Sequence, residues 1–173
     1  MTTVLVTGPI GGGKSAACRH FEALGWPVYD CDSRCKALYG TVPGLKSRIE
    51  RELGIPFGEL RRIFTEPELK DRLEELVYPI LREDIECWKS SLDSSLAFIE
   101  SAVATEKPIF DGLYDKVLLI TAPLPVRQSR NPAAALRSGL QTFRRVKPDR
   151  TVRNVSTPES LYKKLDNYLK TIS

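Results

Sequence analysis

Residues 8–15 read Gly-Pro-Ile-Gly-Gly-Gly-Lys-Ser and match the pattern G-x-x-x-x-G-K-[ST] at every fixed position. Directly before them, residues 4–7 (Val-Leu-Val-Thr) have the composition of a short buried strand. Directly after them, the apolar residues Ala17, Cys18, Phe21 and Leu24 recur at helical spacing. A strand, a glycine-rich turn and a helix in this order form a cradle for phosphate groups. The sequence therefore predicts a nucleoside triphosphate-binding loop, the P-loop, at residues 8–15.

The chemistry of this loop suggests a role for each of its fixed residues. Its glycines allow backbone N–H groups to converge on phosphate oxygens, which also lie against the positive end of the following helix. Lys14 is expected to reach the β- and γ-phosphates, and the Ser15 hydroxyl is expected to bind Mg²⁺. The predicted nucleotide-binding residues are Gly8, Gly11, Gly12, Gly13, Lys14, Ser15 and Ala16.

Length and composition favour a single globular domain covering residues 1–173. The chain is 42% hydrophobic, which is enough for one core, and contains no apolar run of the roughly 18 residues that span a bilayer. The sequence enters the first strand directly after Met1-Thr2-Thr3, so we expect no signal peptide and no membrane partner. The four cysteines (Cys18, Cys31, Cys35 and Cys87) lack disulfide or zinc spacing. Free thiols suit a reducing compartment, which predicts a cytoplasmic location.

Basic residues cluster in the C-terminal third of the chain. Between Ala122 and Val155 the only acidic residue is Asp149, against eight arginines and lysines. Such a cluster can be a solvated face, a nucleic-acid patch or a lid over phosphates. The P-loop favours the lid, and the lack of interleaved aromatic residues argues against a nucleic-acid partner.

Hydrophobic runs alternate between strand-like and helix-like patterns. Strands are predicted at 27–30, 96–99, 116–121 and 151–153, in addition to the first strand before the loop. Helical periodicity covers about residues 33–92, with Thr65 as a helix cap and Pro79 as a kink, and a final helix follows Thr157-Pro158. The pattern predicts an α/β P-loop NTPase fold, with a doubly wound sheet of about five parallel strands and a helical insertion.

Two classes of P-loop protein are disfavoured. A GTPase would carry the guanine-reading pattern N-K-x-D, and the chain contains no Asn-Lys dipeptide. Most motor ATPases are longer than 173 residues. A short chain with a helical insertion and a basic segment favours a small-molecule kinase that closes over its acceptor.

Residues 24–32 read Leu-Gly-Trp-Pro-Val-Tyr-Asp-Cys-Asp and follow the predicted loop helix without a gap. Together with the loop, they resemble the dephospho-coenzyme A kinase family. In that family the loop reads G-x-I-G-x-G-K-S, and the first helix ends in L-G before a strand that closes on D-x-D. The resemblance implies that the second aspartate of this pair, here Asp32, is the base that receives the acceptor's proton.

The resemblance continues more weakly along the chain. Residues 77–80 are similar to a family segment H-P-x-I, with Tyr78 in place of the usual histidine, and residues 99–106 are similar to an acidic segment that begins here at Glu100. Arg127 and Arg130 resemble the R-x-x-R that begins the family's lid. The resemblance implies an acceptor-binding insertion at about 37–92 and a short basic lid at about 127–147.

The family activity implied by this resemblance is transfer of the ATP γ-phosphoryl group to the ribose 3′-hydroxyl of dephospho-coenzyme A, with Mg²⁺. The implied catalytic residues are Asp32, Lys14 and Arg130. Ser15, Glu100 (through water) and Asp30 are the implied Mg²⁺-binding residues, and Asp32 and Tyr78 the implied acceptor-binding residues.

Each of these assignments has a purely structural alternative. Asp32 could cap a helix that starts near Ser33, Glu100 could be a solvated strand end, and Arg130 could belong to a solvated helix face. Tyr78 could be an ordinary half-exposed tyrosine, since its hydroxyl cannot carry a positive charge at neutral pH. Two other functions also stay open: a different small P-loop metabolite or nucleoside kinase, and an ATP-binding regulatory protein with little turnover.

Overall fold

The computed structural model describes residues 1–137, 145 and 147–172. Its sheet has five parallel strands in the order β2-β3-β1-β4-β5. The strands are β1 (Thr2–Thr7), β2 (Val28–Asp30), β3 (Leu96–Glu100), β4 (Lys116–Thr121) and β5 (Arg150–Arg153). The predicted doubly wound parallel sheet is confirmed.

Within the described residues, seven α-helices connect or flank these strands. They are α1 (Lys14–Ala23), α2 (Cys31–Thr41), α3 (Leu45–Leu53), α4 (Pro67–Ser90), α5 (Leu124–Arg130), α6 (Ala134–Arg137) and α7 (Pro158–Leu169). Short 3₁₀ segments lie at Phe57–Phe64, Ala104–Glu106 and Pro108–Phe110. None of the helices in the described ranges is long and apolar enough to cross a membrane.

The chain folds into two compact units. The first unit comprises residues 1–30 and 91–173, and the second comprises residues 31–90. The second unit therefore starts six residues before the insertion that the sequence predicts at about 37–92. Of the expected lid at about 127–147, residues 138–144 and 146 lie outside the described residues.

The core of the first unit explains its continuous hydrophobic strands. Val4, Leu5 and Val6 in β1 are fully buried, as expected for a central parallel strand that is covered on both faces. Phe21 of α1 stacks on Phe98 of β3 with ring centroids 3.9 Å apart. Helix α7 adds Leu161, Leu165, Tyr168 and Leu169 to the same cluster. The Thr157 hydroxyl caps α7 by accepting a hydrogen bond from Ser160 N at 3.4 Å.

The second unit is helical and has its own buried face. Helix α3 buries Leu45, Ile49 and Leu53, and α4 buries Leu73, Val77, Leu81 and Ile85. Helix α4 contains Pro79, which is exposed. The prediction that Thr65 caps this helix is wrong: α4 begins at Pro67, and Thr65 ends the preceding 3₁₀ segment, where its hydroxyl donates to Arg62 O at 3.1 Å.

Candidate active site

The glycine-rich loop lies at the carboxyl end of β1, between the ends of its two neighbours β3 and β4. Its turn is closed by a hydrogen bond from Gly12 N to Pro9 O at 2.9 Å. Gly13 immediately precedes α1, and its φ of 108° lies in the left-handed region. In open α/β sheets, ligands bind outside the carboxyl ends of strands, where a helix N-terminus also favours anions.

The loop packs against β4 so closely that side chains are excluded at two positions. A Cβ atom on Gly8 would stand 2.0 Å from Ile120 O, and one on Gly12 would stand 2.8 Å from the same oxygen. Real Cβ atoms essentially never approach a backbone atom within 3.0 Å. Glycine is therefore required at both positions by the backbone of a neighbouring strand.

Two arginines of α5 reach the loop from the side. Arg127 donates through Nε to Ala122 O at 3.0 Å and through Nη1 to Ile10 O at 3.5 Å. Arg130 donates through Nη1 to Gly11 O at 3.4 Å. Both residues of the R-x-x-R pair therefore lie beside the phosphate-binding loop.

Asn154 adds a contact that sequence reasoning missed. It follows β5 directly, and its Nδ2 donates to Gly12 O at 3.0 Å. The sequence signals at this position are a polar residue immediately after a predicted strand and the likeness of residues 152–154 to the family's closing segment.

Lys14, the first residue of α1, folds back over the loop. Its Nζ donates to Gly8 O at 2.9 Å. An ammonium group carries three donors, and this contact holds it above the loop, where its charge can act on a bound phosphate. The position fits the role that the motif predicts for Lys14.

Ser15 and Glu100 meet at the carboxyl edge of the sheet. The Ser15 hydroxyl donates to Glu100 Oε1 at 2.7 Å. Glu100 ends β3 and pairs in register with Asp30, which ends β2. Cys18, one turn after Ser15 in α1, also shares a hydrogen bond with the Glu100 carboxylate. A hydroxyl and two carboxyl groups therefore stand together at this edge.

The surroundings of Glu100 favour a positive charge. Burial raises the pKa of its carboxyl group, and the nearby Asp30 carboxylate raises it further. Hydrogen bonds from Ser15 and Cys18 and the charge of Lys14 act in the opposite direction without cancelling the increase in pKa. Hard divalent cations such as Mg²⁺ prefer oxygen ligands, so these residues fit such an ion chemically.

In the second unit, Asp32 is exposed in the first turn of α2. The helix begins at Cys31 rather than near Ser33, so the alternative in which Asp32 stands outside the helix as its cap is wrong. Asp32 therefore lies within the first turn of α2, where the helix dipole favours an acidic side chain.

Tyr78 of α4 is half-buried. Burial raises the pKa of its hydroxyl, and the charge of Glu74, with which it shares a hydrogen bond, raises it further. Smaller increases come from Cys35 and Asp32. The hydroxyl is therefore neutral, and its hydrogen bond to the Glu74 carboxylate uses its single hydrogen. Asp32 and Tyr78, both predicted acceptor residues, thus lie in the same unit.

Comparisons with known proteins agree with these local patterns. A family model described as dephospho-CoA kinase matches residues 2–143. The curated dephospho-CoA kinase of Porphyromonas gingivalis is 35% identical over 139 residues, which cover 75% of this chain and 68% of that protein.

Solved structures extend the likeness in fold to almost the whole chain. A Thermus thermophilus protein of known crystal structure matches with a TM-score of 0.80 and 25% identity, covering 99% of this chain and 98% of that one. The dephospho-CoA kinase from Campylobacter jejuni matches in fold with a TM-score of 0.69 and 21% identity, covering 99% and 96% of the two chains. The family match covers the loop, both ends of the D-x-D segment and the R-x-x-R pair. The chain therefore belongs to the dephospho-CoA kinase family.

Proposed function

We propose that this chain transfers the γ-phosphoryl group of ATP to the ribose 3′-hydroxyl of dephospho-coenzyme A. The observation that carries this proposal is the meeting of Lys14, Ser15 and Glu100 at the phosphate-binding edge of a chain in this family. An ATP-binding regulatory protein could use the same three groups, and the family match is what favours the kinase.

The donor half of the reaction rests on positioning and charge. Phosphoryl transfer involves little covalent chemistry by the protein, so catalysis comes from alignment and from neutralisation of phosphate charge. The loop N–H groups from Gly8 to Ala16 and the Lys14 ammonium would hold the ATP phosphates against the N-terminus of α1. Arg130 reaches Gly11 O, and its guanidinium would act on the transferred phosphoryl group.

We propose Mg²⁺ as the cofactor. The Ser15 hydroxyl would bind it directly, and Glu100 would hold it through water, with Asp30 as a further partner. The ion would neutralise phosphate charge during transfer. The support is the raised pKa of Glu100 beside a second carboxylate, which an added positive charge would relieve.

The acceptor half is proposed for the second unit. Asp32 would orient the 3′-hydroxyl and accept its proton as the bond to phosphorus forms. Its exposure makes the carboxylate accessible to a substrate, and the neutral Tyr78 hydroxyl, whose hydrogen is taken by Glu74, would accept a hydrogen bond from the acceptor. The substrates are thus two small molecules. The free state of all four cysteines supports a cytoplasmic site of action.

The test is a coupled ADP-release assay with ATP, Mg²⁺ and dephospho-coenzyme A. We expect Asp32→Asn to lower kcat by about 10²–10⁴-fold, the usual worth of a general base. Lys14→Ala should lower kcat/KM by about 10²–10³-fold, as loss of a preorganised charge does. The matched controls are Asp71→Asn and Lys163→Ala, which change the same residue types at exposed helical positions.

Two results would contradict the proposal. ATP binding without ADP release would contradict it, leaving either a different acceptor or a regulatory protein with little turnover. Full turnover in Asp32→Asn would remove the base from the mechanism while leaving the acceptor assignment intact.

A further inference from the structure

Asn154 is anchored at the edge of the sheet by its backbone and by burial. It follows β5 directly, and its backbone N–H donates to Thr121 O, at the end of β4, at 2.7 Å. Only 7% of the residue is exposed, so its side-chain amide is a buried polar group that needs hydrogen-bond partners.

Both ends of this amide are used at the phosphate-binding loop. Nδ2 donates to Gly12 O at 3.0 Å, and Oδ1 accepts from Arg130 Nη2 at 3.5 Å. The amide also occupies the space beside Gly13, where a Cβ atom would stand 2.2 Å from Nδ2. The missing side chain at Gly13 therefore makes room for Asn154.

The contact with Gly12 O determines the orientation of a whole peptide group. Because the peptide bond is planar and trans, the carbonyl of Gly12 and the N–H of Gly13 point in opposite directions. When Asn154 binds the carbonyl on one side, the Gly13 N–H is directed to the other side. Without a donor at this position, the buried carbonyl would favour a rotated peptide that recovers a hydrogen bond.

We propose that Asn154 is a positioning residue, which orients the Gly12–Gly13 peptide so that the Gly13 N–H faces the bound triphosphate. The proposal rests on the proposed function only in that the loop binds ATP. Asn154 lies beyond the family match, which ends at residue 143. The proposal gives this residue control over the shape of the phosphate cradle.

Calorimetric titrations test this with three probes: ATP, inorganic tripolyphosphate and adenosine. Asn154→Leu keeps the branching and approximate volume of the side chain but removes its donor to Gly12 O and its acceptor for Arg130. We expect both ATP and tripolyphosphate to bind about tenfold more weakly, the worth of one hydrogen bond, with adenosine affinity changed less than twofold. Asn154→Ala is the second variant, and Asn167→Ala, at an exposed position on α7, is the control.

The three probes separate positioning from other roles. Equal losses for adenosine and ATP would overturn the proposal, because they would place Asn154 at the nucleoside instead of the phosphates. Unchanged tripolyphosphate affinity in a folded variant would overturn it as well. No titration contains dephospho-coenzyme A, so a wrong acceptor assignment would leave these results unaffected.

Steady-state kinetics provide an independent readout. A residue that shapes the cradle should raise the KM for ATP about tenfold while lowering kcat much less, since its hydrogen bond is present before and during transfer. Melting curves of each variant show whether it is folded under the assay conditions. An equal fall in kcat and kcat/KM with unchanged KM would contradict positioning of bound ATP.

Discussion

At Glu100, two hydrogen-bond donors and a neighbouring carboxylate surround the carboxyl group. Ser15 donates to Oε1, Cys18 shares a second hydrogen bond, and Asp30 stands in register on the next strand. Cys18 itself is buried, and its pKa is raised first by that burial and then by the Glu100 charge, so it is a neutral donor. Sequence patterns pointed to Ser15, Asp30 and Glu100 for Mg²⁺ but left Cys18 as an ordinary buried thiol.

The raised pKa of Glu100 predicts a pH-dependent loss of stability without metal. Since the folded-state pKa lies above the unfolded value, the folded protein binds more protons between the two, and the free energy of unfolding falls as pH rises through this range. Below about pH 4.3, the pKa of a glutamate in an unfolded chain, Glu100 is protonated in both states and its contribution to the pH dependence disappears. In EDTA, denaturant unfolding curves between pH 4 and 7 should show this fall in the free energy of unfolding for the wild type and not for Glu100→Gln.

The control for this prediction is Glu75→Gln, at an exposed position on α4, which should keep the wild-type dependence. Parallel curves for wild type and Glu100→Gln would show that Glu100 carries no such penalty.

At the scale of elements, the loop and α1 are shaped by what packs against them. Gly8 and Gly25 both have positive φ, 147° and 87°, but their surroundings differ. Ile120 O blocks the Cβ position of Gly8, whereas nothing lies within 4 Å of the Cβ position of Gly25. A side chain at Gly25 would therefore meet backbone strain alone, whereas one at Gly8 would meet both strain and a steric clash.

We expect Gly25→Ala to lower the free energy of unfolding by about 1 kcal/mol through left-handed strain alone, with unchanged ATP affinity. Gly8→Ala should cost a further 1–3 kcal/mol, roughly the cost of overpacking. It should also weaken ATP binding, because the loop must move away from β4. Denaturant melts and ATP titrations measure both effects, and equal behaviour of the two variants would contradict this account.

At the scale of the whole molecule, the proposed roles divide between the two units. The residues proposed for ATP and Mg²⁺ all lie in residues 1–30 and 91–173, while Asp32 and Tyr78 lie in residues 31–90. The second unit has its own buried face, formed by α3 and α4. Each substrate should therefore protect a different part of the chain from hydrogen exchange.

Hydrogen exchange with each substrate alone tests this division. ATP at 100 times its Kd stabilises by about 2.7 kcal/mol, which corresponds to roughly 100-fold slower exchange at amides that open with the binding site. We expect this protection in peptides covering residues 8–16, and we expect dephospho-coenzyme A to protect peptides from residues 31–90. Lys14→Ala should lose only the first effect. Protection by dephospho-coenzyme A confined to the first unit would contradict the division.

Local patterns in the sequence determined the strand, loop and helix at residues 2–23, the five strands and the final helix. They could do so because hydrophobic periodicity and glycine spacing act over a few residues. The same locality explains the errors at Thr65 and at the start of α2, where helix ends depend on packing as well as on capping residues.

Only the tertiary structure decided which distant groups meet. Strand order and register bring Asp30 beside Glu100, 70 positions apart in sequence, and the end of β5 carries Asn154 to Gly12 across 142 positions. No local pattern encodes such a meeting, because parallel strands pair through long crossovers and their carboxyl ends converge only when the sheet is assembled. The sequence by itself thus determined the phosphate-binding loop, and the assembled sheet decided which side chains hold that loop in shape.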